Sequence, residues 1–231
     1  MKKAFIIYGP PCAGKGTQAN LLAARFGLFH LDTGKYVEHV VHDPQYKDDP
    51  VIKRERVIFD SGVLCTPTWV LDITKDRVAH LSKAEFGIVF SGSPRTMYEA
   101  FGDDKHKGLI KVLEEKYGKE NLTFLYLKID PEESIARNSR RMVCEVCGTG
   151  LLYIDANHHH EMCPLCGGKL VRRTVDNPKV FDTRIREYHE RTMPILDALR
   201  AKHYTITEIN GRPLPYQVLN EILKKLKLRN L

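Results

Sequence analysis

Residues 9 to 18 read Gly-Pro-Pro-Cys-Ala-Gly-Lys-Gly-Thr-Gln, a run that can hold a chain of phosphates. Its glycines let successive backbone N–H groups turn toward phosphate oxygens, and a helix opening at the lysine adds positive partial charge. Lys15 then reaches the outer phosphates. Gly9, Pro10, Pro11, Cys12, Ala13, Gly14, Lys15, Gly16 and Thr17 are therefore the expected nucleotide-binding loop. The commonest phosphate loop places Ser or Thr directly after the lysine; here Gly16 intervenes and the hydroxyl arrives at Thr17. Cys12 reads as a small space-filler open to oxidation.

A second set of side chains suits a metal. Cys144 and Cys147, then Cys163 and Cys166, form two C-x-x-C pairs at a spacing found in zinc sites. Gly148 follows the first pair and Gly167-Gly168 the second, so the backbone can fold back tightly at the ion. Four thiolates leave no open coordination position, which predicts structural rather than catalytic Zn²⁺. His158, His159 and His160 lie between the pairs and are expected on a solvated hairpin tip. A disulfide framework is disfavoured, because the chain enters a strand within its first few residues and leaves no room for an export signal. Cys65 has no partner at metal spacing. So short a segment cannot build its own core, and the metal is expected to make it a stiff flap.

The elements that must position these groups alternate. Short apolar runs at Ala4–Tyr8, Leu28–Leu31, Gly87–Ser91, Thr123–Ile129 and Tyr204–Ile209 read as strands. Helical patterns cover Trp69–Lys83, Lys107–Tyr117, Glu132–Met142 and Val180–His203, with Pro194 expected to kink the last. After the phosphate loop, Ala19, Leu22, Ala23 and Phe26 fall on one helical face and Gly27 stops it. Alternating strand and helix predicts an α/β fold with a parallel five-stranded sheet covered on both faces. Residues 33–67 and 143–171 do not fit the sheet and read as inserted modules, which leaves 1–32, 68–142 and 172–231 as the core.

At 231 residues one sizeable core is possible, and no apolar run is long enough to span a membrane. A cytoplasmic monomer is expected. The net charge of +7 could signal nucleic acid, but the arginines are spaced rather than blocked, as a site for two polyphosphates requires. The basic end, Lys224 to Arg229, reads as a solvated helix face.

Gly-Lys-Gly-Thr-Gln resembles the loop of adenylate kinases and related nucleoside monophosphate kinases, and the likeness extends along the chain. Asp32-Thr33-Gly34 is similar to the start of the family's monophosphate-binding module, and Ser91-Gly92-Ser93-Pro94-Arg95-Thr96 to its Asp-Gly-Phe-Pro-Arg-Thr. Arg137 through Arg141 to Cys144 resembles the entry to a zinc-bearing lid. Arg173 through Arg184 to Tyr188-His189, with Asp176 between, resembles its exit. Asn210-Gly211-Arg212-Pro213 is similar to the loop against the ATP base. The resemblance implies transfer from Mg-ATP to a monophosphate, AMP by preference. It implies that Lys15, Arg137 and Arg141 hold ATP phosphates, that Arg212 lies at the ATP site, and that Arg95 grips the acceptor phosphate. Arg173 and Arg184 would bridge donor and acceptor. Thr33, Gly34, Glu38, Leu64, Cys65, Gly92 and Glu99 would complete the acceptor site. Arginine suits these posts because its planar fork is always charged and bonds phosphate bidentately.

Three functional positions depart from the family, besides Ser93, Arg140 and Met142 within the quoted motifs. Glu38 replaces an arginine, Glu99 a glutamine that reads adenine, and Ser91 an aspartate that helps organise the water shell of Mg²⁺. A carboxylate near an incoming phosphate is repulsive, and Lys35, Arg54 and Arg56 are the cations available to offset Glu38. Ionised Glu99 accepts but cannot donate, which favours an amino-bearing base edge. Two further readings stay open: a kinase for CMP, UMP or dAMP, and a non-catalytic nucleotide-binding protein.

Overall fold

The computed structural model describes residues 2–151, 161–173 and 176–228, so His158, His159, His160 and Arg229 lie outside the described residues. In chain order the first half comprises β1 (Ala4–Tyr8), α1 (Lys15–Phe26), β2 (Leu28–Leu31), α2 (Thr33–His42), α3 (Pro50–Asp60), α4 (Pro67–Lys83), β3 (Gly87–Phe90), α5 (Met97–Phe101) and α6 (Leu109–Tyr117). Then follow β4 (Leu122–Lys128), α7 (Pro131–Arg140), β5 (Met142–Cys144), β6 (Gly150–Leu151), β7 (Leu170–Val171), α8 (Pro178–Glu187), α9 (Met193–Ala201), β8 (Ile206–Asn210) and α10 (Pro215–Lys225).

A five-stranded parallel sheet in the order β2-β3-β1-β4-β8 is the centre of the molecule. Every residue of β1 is buried, because successive side chains alternate between two covered faces. Ala4, Ile6 and Tyr8 join Leu71 of α4, Leu113 of α6 and Leu199 of α9 on one face. Phe5 and Ile7 join Leu22 of α1 and Ile222 of α10 on the other. Full burial of a side chain such as Phe5 or Phe90 contributes about 2 to 3 kcal/mol. The α/β parallel-sheet architecture expected from the alternating pattern is thus the one observed. Outside it, β6-β5-β7 form a small antiparallel sheet around the cysteines.

Two helices differ from their expected extent. The helix expected through Met142 stops at Arg140, because Arg141 turns extended and Met142 enters β5. The single helix expected from Val180 to His203 is α8 and α9 joined by a π-helical turn, Tyr188–Thr192. Pro194 supplies the cause: it has no N–H to continue the ladder, and just ahead of it Met193 N–H bonds back to the Tyr188 carbonyl. The turn faces the site, and Tyr188 and Thr192 both line its cavity.

Candidate active site

The phosphate loop leaves β1 and enters α1. Gly9 is required at its start, with φ at +151° and a Cβ there 2.7 Å from the Leu127 carbonyl. Lys15 folds back over the loop and donates to the carbonyls of Gly9 at 2.8 Å and Pro10 at 2.7 Å. Burial, reinforced by the Arg95 and Arg184 guanidiniums, lowers its ammonium to about 7. Helix α7 braces the loop from behind, where Ser134 Oγ donates to the Pro11 carbonyl at 2.7 Å and Cys12 Sγ lies 3.7 Å from Asn138 Oδ1. Ala13 is buried, while Gly14, Gly16 and Thr17 sit at the helix opening.

A cavity of about 150 Å³ opens beside this loop. Gly9, Pro11 and Lys15 line it on one side, and Thr33, Gly34, Leu64, Cys65, Gly92 and Glu99 on the other, with Arg95, Arg173 and Arg184 at its walls. Gly34 and Gly92 leave room for Arg95: a Cβ at either would stand 3.2 or 3.3 Å from its Nη2. Arg184 donates to Asp176 Oδ1 at 2.9 Å, and Asp176, buried, also faces Arg141 at 3.7 Å. Arg173 donates to Glu38 Oε2 at 2.6 Å. Arg54 instead pairs with Glu55, and Arg56 donates to the Val41 carbonyl, so neither lies against Glu38. Lys35 donates to the Gly148 carbonyl at 3.1 Å.

Three predicted arginines stand outside the cavity wall. Arg137 is held by Glu133 at 2.6 Å and donates to the carbonyls of Gly211 and Arg212, each at 3.0 Å. Arg212 pairs with Asp130 at 2.8 Å, and Arg141 faces Asp176 as above. These contacts hold the loop after β8 against α7.

Sequence reasoning placed Thr33 and Glu99 in the expected site but left out Tyr8, Ser93 and Glu187, which also line the cavity. The hydroxyls of Tyr8, Thr33 and Ser93 are buried without a protein partner among the described residues, and all three residues line the cavity. An unmet buried hydroxyl costs about 1 to 3 kcal/mol, so three in one cavity mark a place for a polar ligand. Glu99 is buried as well, and its oxygens accept the Arg95 N–H at 2.9 Å and the Thr96 hydroxyl at 3.0 Å. Burial pushes its carboxyl up, against those two bonds. Glu187, reaching in from α8, accepts the Leu64 N–H at 3.1 Å. No motif carried Tyr8 or Glu187; a hydroxyl-bearing tyrosine ending an otherwise wholly apolar strand was the one signal.

The four cysteines converge, with all Sγ atoms within 4.8 Å of one another. Cys144 and Cys166 are 3.4 Å apart, and Cys147 and Cys163 are 3.7 Å apart. A tetrahedron of sulfurs about 2.3 Å from one ion has edges of this order, so the set fits a structural zinc.

A parallel sheet with a phosphate loop after its first strand, and cationic side chains gathered at one cavity, defines a nucleotide phosphotransferase. The family model described as adenylate kinase matches residues 7–204. The chain is 31% identical to an adenylate kinase of Caldicellulosiruptor bescii over 223 residues, covering 96% of this chain and 98% of that one. It is 30% identical to one of Petrotoga mobilis over 228 residues, 98% of each chain. A Chlamydia pneumoniae adenylate kinase is 31% identical over 192 residues, 83% of each. The chain belongs to the adenylate kinase family and transfers phosphoryl groups between nucleotides. Among the described residues no helix is long and apolar enough to cross a membrane.

Proposed function

We propose that the chain carries a phosphoryl group from Mg-ATP to a nucleoside monophosphate, AMP by preference, yielding two ADP. The observation that carries this reading is the single cavity walled by the phosphate-loop Lys15 together with Arg95, Arg173 and Arg184. Phosphoryl transfer asks for alignment and charge neutralisation, and four cations at one cavity supply both. Lys15 holds the outer ATP phosphates and Arg95 the acceptor phosphate, with Arg173 and Arg184 bridging the two. Asp176 fixes the angle of Arg184 and faces Arg141. Arg137 and Arg212 shape the donor side through the loop that they join. No general base is needed, since the acceptor oxygen is already anionic. Mg²⁺, when bound with ATP, neutralises charge on the phosphates. Residues 33–67 close over the acceptor and residues 143–171 over ATP, which keeps water from the reacting group. The bond from Lys35 to Gly148 supports closure, because it joins the two modules across the site, and the bond from Arg173 to Glu38 ties the core just past the second module to the first.

Glu38 occupies Arg173, and an acceptor phosphate must displace it. Glu38→Gln is therefore expected to lower the acceptor KM about tenfold, the weight of one charged hydrogen bond, with kcat little changed. Steady-state kinetics check this, and a raised KM would show that Glu38 helps binding instead.

A second reading, another acceptor, rests on Glu99, buried in the cavity: it accepts from an exocyclic amine and repels a carbonyl, which admits AMP, dAMP and CMP alike and disfavours UMP. A coupled assay of ADP formation from Mg-ATP with AMP, CMP, UMP and dAMP tests both readings. The highest kcat/KM with AMP is expected. A clear preference for another monophosphate moves the assignment to that substrate, and ATP binding without turnover of any acceptor makes the protein a non-catalytic binder.

A further inference from the structure

Three carboxylates line the cavity, and two of them are already engaged. Glu99 accepts from Arg95 and Thr96, and Glu187 from Leu64 and Arg191. Asp32 is placed differently. Its Oδ1 accepts the Lys35 N–H at 3.1 Å and caps α2, while its Oδ2 lies against the phosphate loop, 4.0 Å from where a Cβ on Gly16 would stand. Gly16 separates Lys15 from Thr17, so this oxygen borders the place where the phosphates of ATP are read to sit. A bare carboxylate there would repel them. A divalent cation between the two turns that repulsion into attraction.

The ladder between β2 and β3 supplies the companion group. Leu31 pairs with Phe90, so Asp32 and Ser91 follow on the next rung. Ser91 Oγ is 2.7 Å from His30 Nε2, and His30 Nδ1 is 2.6 Å from Asn20 Oδ1. With Nδ1 donating to an amide oxygen, Nε2 accepts the Ser91 proton and leaves the Ser91 oxygen free to accept from a metal-bound water. A carboxylate and two hydroxyls, counting Thr17, are hard oxygen donors of the kind Mg²⁺ takes while retaining most of its waters.

We infer that Asp32, seconded by the Ser91–His30 pair, orients the divalent cation of the bound nucleotide, and that the acidic group of this site follows β2 rather than β3. The inference rests on the Mg-ATP reading above. Asp32 acts as a positioning residue, and its only other visible role is the helix cap. Asp32→Asn separates the two roles, because asparagine caps a helix as well as aspartate does.

Calorimetric titration with ATP in EDTA and with ATP in excess Mg²⁺ tests the assignment. For Asp32→Asn, metal-free ATP is expected to bind more tightly and Mg-ATP more weakly. The ratio of the two affinities should fall about tenfold or more, the usual effect of losing an outer-sphere metal partner. Adding Ser91→Asp to the variant should restore the ratio by returning a carboxylate to the neighbouring rung. Affinities that move together, or a ratio equal to that of the wild type, would overturn the assignment and leave Asp32 a cap. Wild-type protein that binds no ATP in either buffer would overturn the Mg-ATP reading itself, and this inference with it.

Discussion

Replacing Lys15 with methionine is expected to lower the phosphoryl-transfer rate by at least about a hundredfold, the effect of removing one preorganised charge from a transition state, while the fold survives. The ammonium is held by two carbonyls of its own loop and crowded by Arg95 and Arg184, which together with burial keep it near 7 rather than 10.5. The sign follows. The unfolded chain binds the Lys15 proton more tightly than the folded one, so between about 7 and 10.5 this group adds stability as pH rises, and below 7 its charge is a cost to the fold. Methionine removes that cost along with the two hydrogen bonds, so thermal melting should change little. Polyphosphate binding reverses the crowding, because an anion beside the ammonium favours its charged form. Wild-type protein should therefore take up a proton on binding ATP near pH 8, and the variant should not. Calorimetry in two buffers of different ionisation enthalpy reads that proton directly. Retention of more than about a tenth of the activity would remove Lys15 from the transition state.

The sheet was legible because its inner strands β1 and β3 are buried on both faces and so read as unbroken apolar runs. Ala4–Tyr8 and Leu28–Leu31 match residue for residue. The cysteine spacing was equally plain, since a metal constrains local sequence directly. The long C-terminal helix was harder. A proline inside a helical pattern announces a disturbance but not its form, and the π-helical turn that brings Tyr188 and Thr192 to the cavity depends on contacts such as Thr192 Oγ1 donating to the Arg95 carbonyl at 2.9 Å. The altered acceptor side shows the same limit. Glu38 stood out as a misplaced charge, yet its partner, Arg173, is distant in sequence and belongs to the segment leaving the lid. Asp32 reads only as the start of the acceptor module, because the phosphate loop beside it is brought there only by the sheet.

Removal of the metal should have the other large effect. Among the described residues, the segment around the cysteines buries only Cys144, Cys163 and Leu170, with Met142 and Leu151 packed partly against them. Strands of two or three residues cannot hold themselves in water. Structural zinc contributes about 10 to 16 kcal/mol in peptides of comparable size, which far exceeds anything that small cluster supplies. Treatment with a strong chelator, or Cys144→Ser, is therefore expected to melt the segment while the sheet stays folded, since neither sheet-face cluster includes a described residue from it. Limited proteolysis should then cut between residues 143 and 171 and leave the core intact, and metal analysis of untreated protein should find zinc equimolar with the chain. Transfer activity should fall with the loss of order, because Arg173 leaves this segment just after β7, and its reach to the cavity depends on where β7 is held. Persistent protection of the segment after complete metal removal would mean that side-chain packing, rather than coordination, keeps it shaped.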